Sequence, residues 1–119
     1  MAAFSKIVLT GSTDGRGILV SGTTSGGANT VHTASATATV FDEVWLYAQN
    51  TDTTARKLTV EWGGTGAGDI FELTIPAESG LTLVSPGLVL KGNASPLVVK
   101  AFAATTNVVA VYGYVNRIS

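Results

Sequence analysis

Short runs of β-branched and aromatic residues alternate along the chain with clusters of Gly, Asn, Asp, Ser and Thr, which is typical of strands joined by turns. No segment keeps a helical stripe of apolar positions clear of Gly, Thr and β-branched residues. The pattern predicts an all-β fold, an antiparallel β-sandwich that is jelly-roll-like. The predicted strands are Phe4–Thr10, Gly17–Ser21, Asn29–Ala34, Phe41–Gln49, Arg56–Trp62, Asp69–Ile75, Leu81–Ser85, Leu88–Lys91, Leu97–Ala103 and Asn107–Asn116.

Turn residues predict how some of these strands are connected. Asp14-Gly15 predicts a turn that makes the first two strands a hairpin. The polar turn Asn50–Thr54, in which Asn50 and Asp52 can cap their own backbone, places the next strand at hairpin distance. Pro86-Gly87 is expected to break the chain between two separate strands, because proline cannot donate to a sheet ladder.

The alternation of side chains assigns each strand two faces. In Arg56–Trp62, the apolar side chains alternate with Lys57, Thr59 and Glu61, so these three are expected to point to water. The fourth strand differs, because Trp45 and Tyr47 occupy the side opposite its aliphatic residues.

The last predicted strand also has no polar face. It sets Tyr112 and Tyr114 opposite a row of valines. Strands that are apolar on both faces are buried on both, whereas a two-layer sandwich buries only one face of each sheet. We therefore expect Trp45, Tyr47, Tyr112 and Tyr114 to form an interface between subunits. The alternative is that a loop of the same chain covers the second face.

Composition points the same way. The 119 residues are 45% hydrophobic and 13% charged, and form one predicted domain, residues 1–119. A soluble domain usually carries about 25% charged residues, so protein is expected to cover part of this surface. The alternative is a monomer with an exterior of Thr, Ser, Asn and Gly.

The charges exclude some partners. Seven Lys and Arg against eight Asp and Glu leave a net charge of -1, without runs of either sign. No basic field would attract nucleic acid or an anionic membrane, so neither is expected as a partner. The chain has no cysteine, which removes disulfides and thiolate metal sites.

Candidate chemistry is sparse. His32, the single histidine, has no further metal ligand near it in sequence and is interpreted as a surface or rim residue. Asp42 and Glu43 are adjacent on a strand, so they point to opposite faces and are interpreted as charges that deter edge pairing. The loop Gly63–Gly68 lacks a lysine and a following helix, so it does not predict a phosphate site. We expect no catalytic residue, metal or cofactor.

Four blocks of the chain, at 41–50, 58–64, 75–80 and 115–118, resemble as a set the small structural proteins of tailed bacteriophages. The resemblance extends over roughly residues 28 to 118 and is greatest to capsid cement or decoration proteins. It implies a virion component, assembled in the host cytoplasm as a β-rich homo-oligomer, a trimer in many such proteins. The implied partner is the major capsid protein or another virion protein, and no site residue is carried over.

The predicted function is therefore that of a capsid decoration protein that binds the outside of a phage head and stabilises it. Two alternatives stay open. One is a neck, tail or head-fibre component of the virion. The other is a carbohydrate-binding jelly-roll module, in which Trp45 and Tyr47 would contact the sugar.

Overall fold

The computed structural model describes residues 3–119, so the first two residues of the predicted domain lie outside it. The described chain forms nine strands and two single turns of 3-10 helix, Ser25–Gly27 and Ala67–Asp69. Within this part of the chain, no helix is long and apolar enough to cross a membrane. The strands are β1 (Phe4–Val8), β2 (Ile18–Leu19), β3 (Asn29–Thr33), β4 (Phe41–Asn50), β5 (Arg56–Trp62), β6 (Ile70–Ile75), β7 (Thr82–Lys91), β8 (Val98–Ala103) and β9 (Val109–Ile118).

These strands form two antiparallel sheets packed against each other, which confirms the predicted β-sandwich. One sheet has the order β1-β9-β4-β7, with β2 also paired to β9, and the other has the order β3-β8-β5-β6. β9 and β4 are central in the first sheet, and β8 and β5 are central in the second.

Aliphatic side chains from the inner faces of both sheets fill the space between them. Each large one removed from water contributes about 1.5–3 kcal/mol to stability. In β4 the alternation follows the prediction, with every second residue buried. The largest apolar side chains that are fully buried are Leu9, Val20, Val31, Val44, Leu46, Leu58, Val60, Ile75, Val99, Val109 and Val111.

The predicted hairpin of the first two strands is wrong. β1 and β2 both pair with β9, at successive positions along it, and not with each other. Asp14 and Gly15 do make a turn, at φ 54° and 84°. Before that turn, however, the chain crosses to β3, where the Gly11 amide donates to the Val31 carbonyl at 2.9 Å. The segment therefore joins the two sheets at this end.

The polar turn after β4 also changes sheets, because β4 and β5 belong to different ones. Its predicted backbone caps are present. The Asn50 side chain accepts from the Asp52 amide at 2.9 Å and donates to the Ile75 carbonyl at 3.1 Å. The turn thus connects the two layers of the sandwich. β4 and β5 do not form a hairpin, although the spacing between them is short enough for one.

The predicted break at Pro86-Gly87 is wrong as well, since β7 is continuous from Thr82 to Lys91. Pairing with β4 shifts by one residue there, which makes Gly87 the extra residue of a β-bulge at φ 80°. β7 is an edge strand, where a missing amide hydrogen is tolerated. The bulge keeps the pairing intact around the proline.

Candidate functional site

The outer face of the five-stranded sheet carries many apolar and aromatic side chains, which one mainly polar row divides. Directly opposed residues of antiparallel strands share a face, so the pairing assigns the members of each row. We call this surface the aromatic face. Its cross-strand rows are Phe4, Ile118, Phe41 and Lys91; then Lys6, Asn116, Glu43 and Val89; then Val8, Tyr114, Trp45 and Pro86; then Tyr112, Tyr47 and Leu83; and, at the β2 end, Leu19, Ala110 and Gln49.

Exposed large hydrophobic side chains concentrate on this sheet. The described residues include eight exposed large hydrophobic side chains. Seven of them lie in strands of this sheet, and Leu81 directly precedes β7. Among the described residues, none lies in the four-stranded sheet. Six of the eight lie on the aromatic face, whereas Leu88 pairs with the buried Val44 and lies on the other side of the sheet. Single exposed apolar residues are ordinary, but several on one face are typical of contact surfaces. The eight are Phe4, Val8, Leu19, Phe41, Leu81, Leu83, Leu88 and Val89.

Trp45 and Tyr114 lie side by side at the centre of the aromatic face. Their ring centroids are 6.3 Å apart and their planes differ by 13°. Trp45 Nε1 donates to Glu43 Oε1 at 2.6 Å, and Asn116 Nδ2 donates to the same oxygen at 3.0 Å. These two hydrogen bonds lower the pKa of Glu43, so the carboxylate stays charged. The indole lies nearly parallel to the Tyr114 ring, with its polar atom already satisfied.

The second aromatic pair, Tyr47 and Tyr112, is directly opposed across β4 and β9. Gln49 Nε2 donates to the Tyr112 hydroxyl at 2.8 Å. A Cβ on Gly17 would lie 2.6 Å from the Tyr112 ring, so only glycine lets the chain pass this close. The structure therefore brings all four predicted interface residues onto one face, where each is half-buried.

The pattern in the sequence missed the rest of this surface. Phe4, Val8, Leu83 and Val89 come from β1 and β7, far from β4 and β9 in sequence. Each of these two strands has apolar residues on both of its faces, which is the signal that could have identified them. The local sequence pattern does not show that β1 and β7 lie on either side of the central strands β9 and β4.

The outer face of the four-stranded sheet is polar by comparison. Lys57 Nζ and Glu72 Oε2 form an exposed ion pair at 2.7 Å. The prediction that Thr59 and Glu61 point to water is wrong, since they are 4% and 2% exposed. They lie on the expected face, but β5 is a central strand and neighbouring side chains and loops cover them.

Three charged or titratable residues meet between the two sheets, and we call them the buried ion cluster. His32, from β3, is bound through Nε2 to Asp42 Oδ2 of β4 at 2.7 Å. Arg117, from β9, donates from Nε and Nη2 to the two oxygens of the same carboxylate at 2.7 and 2.8 Å. The cluster links one sheet to the other, and His32 and Asp42 are almost wholly buried.

The hydrogen bonds of His32 define its protonation. The Thr10 amide donates to Nδ1 at 3.3 Å, so Nδ1 carries no proton and Nε2 donates to Asp42. Burial lowers the pKa of His32 more than the Asp42 carboxylate raises it. Burial raises the pKa of Asp42, but hydrogen bonds from Arg117 and His32 bring it below its ordinary value. The cluster holds a neutral imidazole and a charged carboxylate–guanidinium pair.

The interpretations of His32 and Asp42 from sequence are therefore wrong. His32 is not at the surface or rim, because β3 carries it between the layers. Asp42 and Glu43 do point to opposite faces, but β4 is central, so they protect no edge. His32 is inaccessible to a substrate. No group of three His, Cys, Asp or Glu side chains within residues 3–119 could hold a metal ion.

No known protein family, curated protein or solved structure matches the chain.

Proposed function

We propose that the chain is a virion structural protein, a capsid decoration protein that associates with copies of itself and binds the outside of a bacteriophage head. The proposed role needs adhesion and no catalysis, cofactor, nucleic acid or membrane. The proposed partners are a second and third copy of the chain and the major capsid protein.

The aromatic face is the observation that carries this proposal. Its exposed side chains, including Phe4, Leu83 and Val89, are held on a rigid sheet, and Trp45 and Tyr114 lie between them. Aromatic residues are favoured at the centres of interfaces, and polar groups at such a centre must be satisfied. The indole of Trp45 and the side-chain amide of Asn116 meet this requirement by donating to Glu43. Such a surface suits a second copy of the chain.

Closed association limits the size of the assembly. A cyclic trimer buries part of each aromatic face and leaves no open-ended contact, which open stacking of the same face would create. The polar sheet, with its Lys57–Glu72 pair, then faces solvent. A particle-bound trimer is therefore our proposed form.

The strand order supports the finer assignment of a jelly roll. If β1 and β2 are counted as one interrupted strand, each sheet has four strands, and eight strands in two sheets is the number typical of jelly rolls. With β1 and β2 counted as one strand, the chain changes sheet at every connection except the one between β5 and β6.

The assignment to a phage particle rests on the resemblance of the four blocks described above. Parts of these blocks contribute to the aromatic face: Trp45 and Tyr47 lie in the first and Ile118 in the last. Imaging of the particle tests the assignment. Copies over the whole capsid lattice support a decoration protein, whereas copies at one vertex indicate the neck or tail alternative.

Native mass spectrometry of the purified chain tests the self-association. We expect a closed oligomer, with a trimer as the main species. A monomer at micromolar concentration would contradict the proposed role of the aromatic face, whatever the particle shows.

A further inference from the structure

A cavity of about 240 Å³ opens on the four-stranded sheet, away from the aromatic face. Its wall includes Glu61 of β5, Val98 and Lys100 of β8, Pro96, and the loop that begins at Gly63. Pockets for drug-sized ligands measure about 300–1,000 Å³, so this one has room for a single small ring.

Glu61 is the unusual residue of this cavity. It is 2% exposed, yet only Ser25 binds it, donating from Oγ to Oε2 at 2.5 Å. No hydrogen bond from a described residue reaches its other oxygen, Oε1, and no buried polar side-chain atom among these residues lacks a partner, so Oε1 is in contact with solvent in the cavity. The rest of the side chain is buried, so a ligand can replace the solvent at Oε1 only if it donates a hydrogen bond there. Glu61 therefore has an open acceptor position in a cavity wall.

The other wall residues select the ligand class. Lys100 is the direct cross-strand neighbour of Glu61. A phosphate would meet the carboxylate, and an ammonium or guanidinium group would meet the Lys100 charge. A divalent cation needs more oxygen ligands than this wall offers, since no acidic group of three occurs among residues 3–119. A neutral group that both donates and accepts suits the pair.

We propose that this cavity binds one sugar residue. One ring hydroxyl donates to Glu61 Oε1 and a neighbouring hydroxyl accepts from Lys100 Nζ. Val98 and Pro96 provide apolar wall for the C–H face of the ring. The site is separate from the aromatic face, so it does not depend on the proposed assembly, and it is not the sugar site considered at Trp45.

Amide NMR of the whole chain tests the site. Glucose, galactose, mannose, N-acetylglucosamine and fucose are added separately at millimolar concentration. At least one should shift the amides of Ser25, Gly63 and Gly64 saturably. Glu61→Gln, which keeps the size of the side chain and an acceptor for Ser25, should weaken that binding about tenfold by removing the charged acceptor.

A second variant and a matched control separate binding from folding. Lys100→Met changes an exposed residue and should also weaken binding, by several-fold. Glu72→Gln removes an exposed carboxylate from the same face of the same sheet and should leave binding unchanged. Free arginine and inorganic phosphate serve as charged probes.

Three results would overturn the proposal. One is the absence of a saturable shift with every sugar. Another is sugar binding of equal strength in the wild type and in both Glu61→Gln and Lys100→Met. The third is tighter binding of arginine or phosphate than of any sugar at these amides, which would assign the cavity to a charged partner.

Discussion

At the scale of single residues, the buried ion cluster is the most consequential polar feature of the fold. A buried charge is tolerated only when it is paired and hydrogen-bonded. Asp42 meets this condition through Arg117 on one side and His32 on the other. Each residue comes from a different strand, so the cluster couples the alignment of β3, β4 and β9.

We expect acid to weaken the fold through His32. Its pKa is below the ordinary 6.5 in the folded chain, so below pH 6.5 the unfolded chain binds a proton that the folded chain does not. The free energy of unfolding should fall as the pH drops from 6.5 and stop falling, for this group, below its folded pKa. Urea unfolding between about pH 7.5 and about pH 5 measures this.

His32 is the single histidine, and carboxylates titrate at lower pH, so the change in stability over this pH range can be assigned to His32. His32→Gln, which cannot take up the proton, should show a weaker slope over the same range. A slope as steep in the variant as in the wild type, or a wild type that gains stability in acid, would contradict a buried neutral imidazole.

Asp42→Ala should destabilise the fold strongly. It leaves Arg117 and His32 without their common partner between the sheets, and breaking such a pair costs about 3–5 kcal/mol. Urea unfolding gives the loss as a lower midpoint. Glu72→Ala, which removes the exposed partner of Lys57, is the control and should change the midpoint little. Equal losses would mean that the cluster adds nothing beyond an ordinary surface pair.

At the scale of elements, the pairing of β4 with β9 organises the first sheet. Both strands have ten residues, and their pairing extends from Phe41–Ile118 to Asn50–Val109. Gly113 lies in this pairing, where a Cβ would be 2.0 Å from the Trp45 carbonyl oxygen. Only a residue without a side chain permits this approach.

Gly113→Ala should therefore destabilise the protein by about 1–3 kcal/mol, because the added methyl group meets backbone that cannot move without disturbing the pairing. Thermal unfolding measures the effect. Gly68→Ala is the matched control, since a Cβ there meets nothing within 4 Å. If both variants unfold at the same temperature, the fold does not require the close approach of Gly113 to the Trp45 carbonyl.

At the scale of the whole molecule, the two outer faces differ in kind. The aromatic face carries most of the exposed large apolar side chains around Trp45 and Tyr114, with Lys6, Glu43 and Asn116 as its polar row, whereas the opposite face carries the Lys57–Glu72 pair and the Glu61 cavity. The proposed assembly requires such an asymmetry, because it uses one sheet for contact and leaves the other accessible.

Tyr112→Asp and Tyr114→Asp should each dissociate the proposed oligomer while the monomer stays folded. Both put a charge on the aromatic face, and burying an unpaired charge in an interface costs several kcal/mol. Sedimentation velocity measures the oligomer and circular dichroism the fold. Lys57→Ala, on the opposite face, should change neither. Assembly that is equally unaffected in all three variants would exclude this face as the contact.

The alternation of residues along the chain was enough to predict most strands and the two faces of β4 and β9. This is because the period of a strand is local: successive side chains point to opposite sides whatever the strand packs against. It placed Trp45, Tyr47, Tyr112 and Tyr114 on the right faces. The low share of charged residues also predicted that protein covers part of the surface, but it did not identify the covering protein.

Only the tertiary structure decided which strands are neighbours, and with that which polar residues are buried. Arg117 reaches Asp42 across 75 residues of sequence, and His32 reaches it from the other sheet. Glu61 follows the predicted alternation and is still buried, because its strand is central. Local pattern sets the direction of a side chain, but what it meets depends on contacts between distant segments, which form only when the sheets assemble.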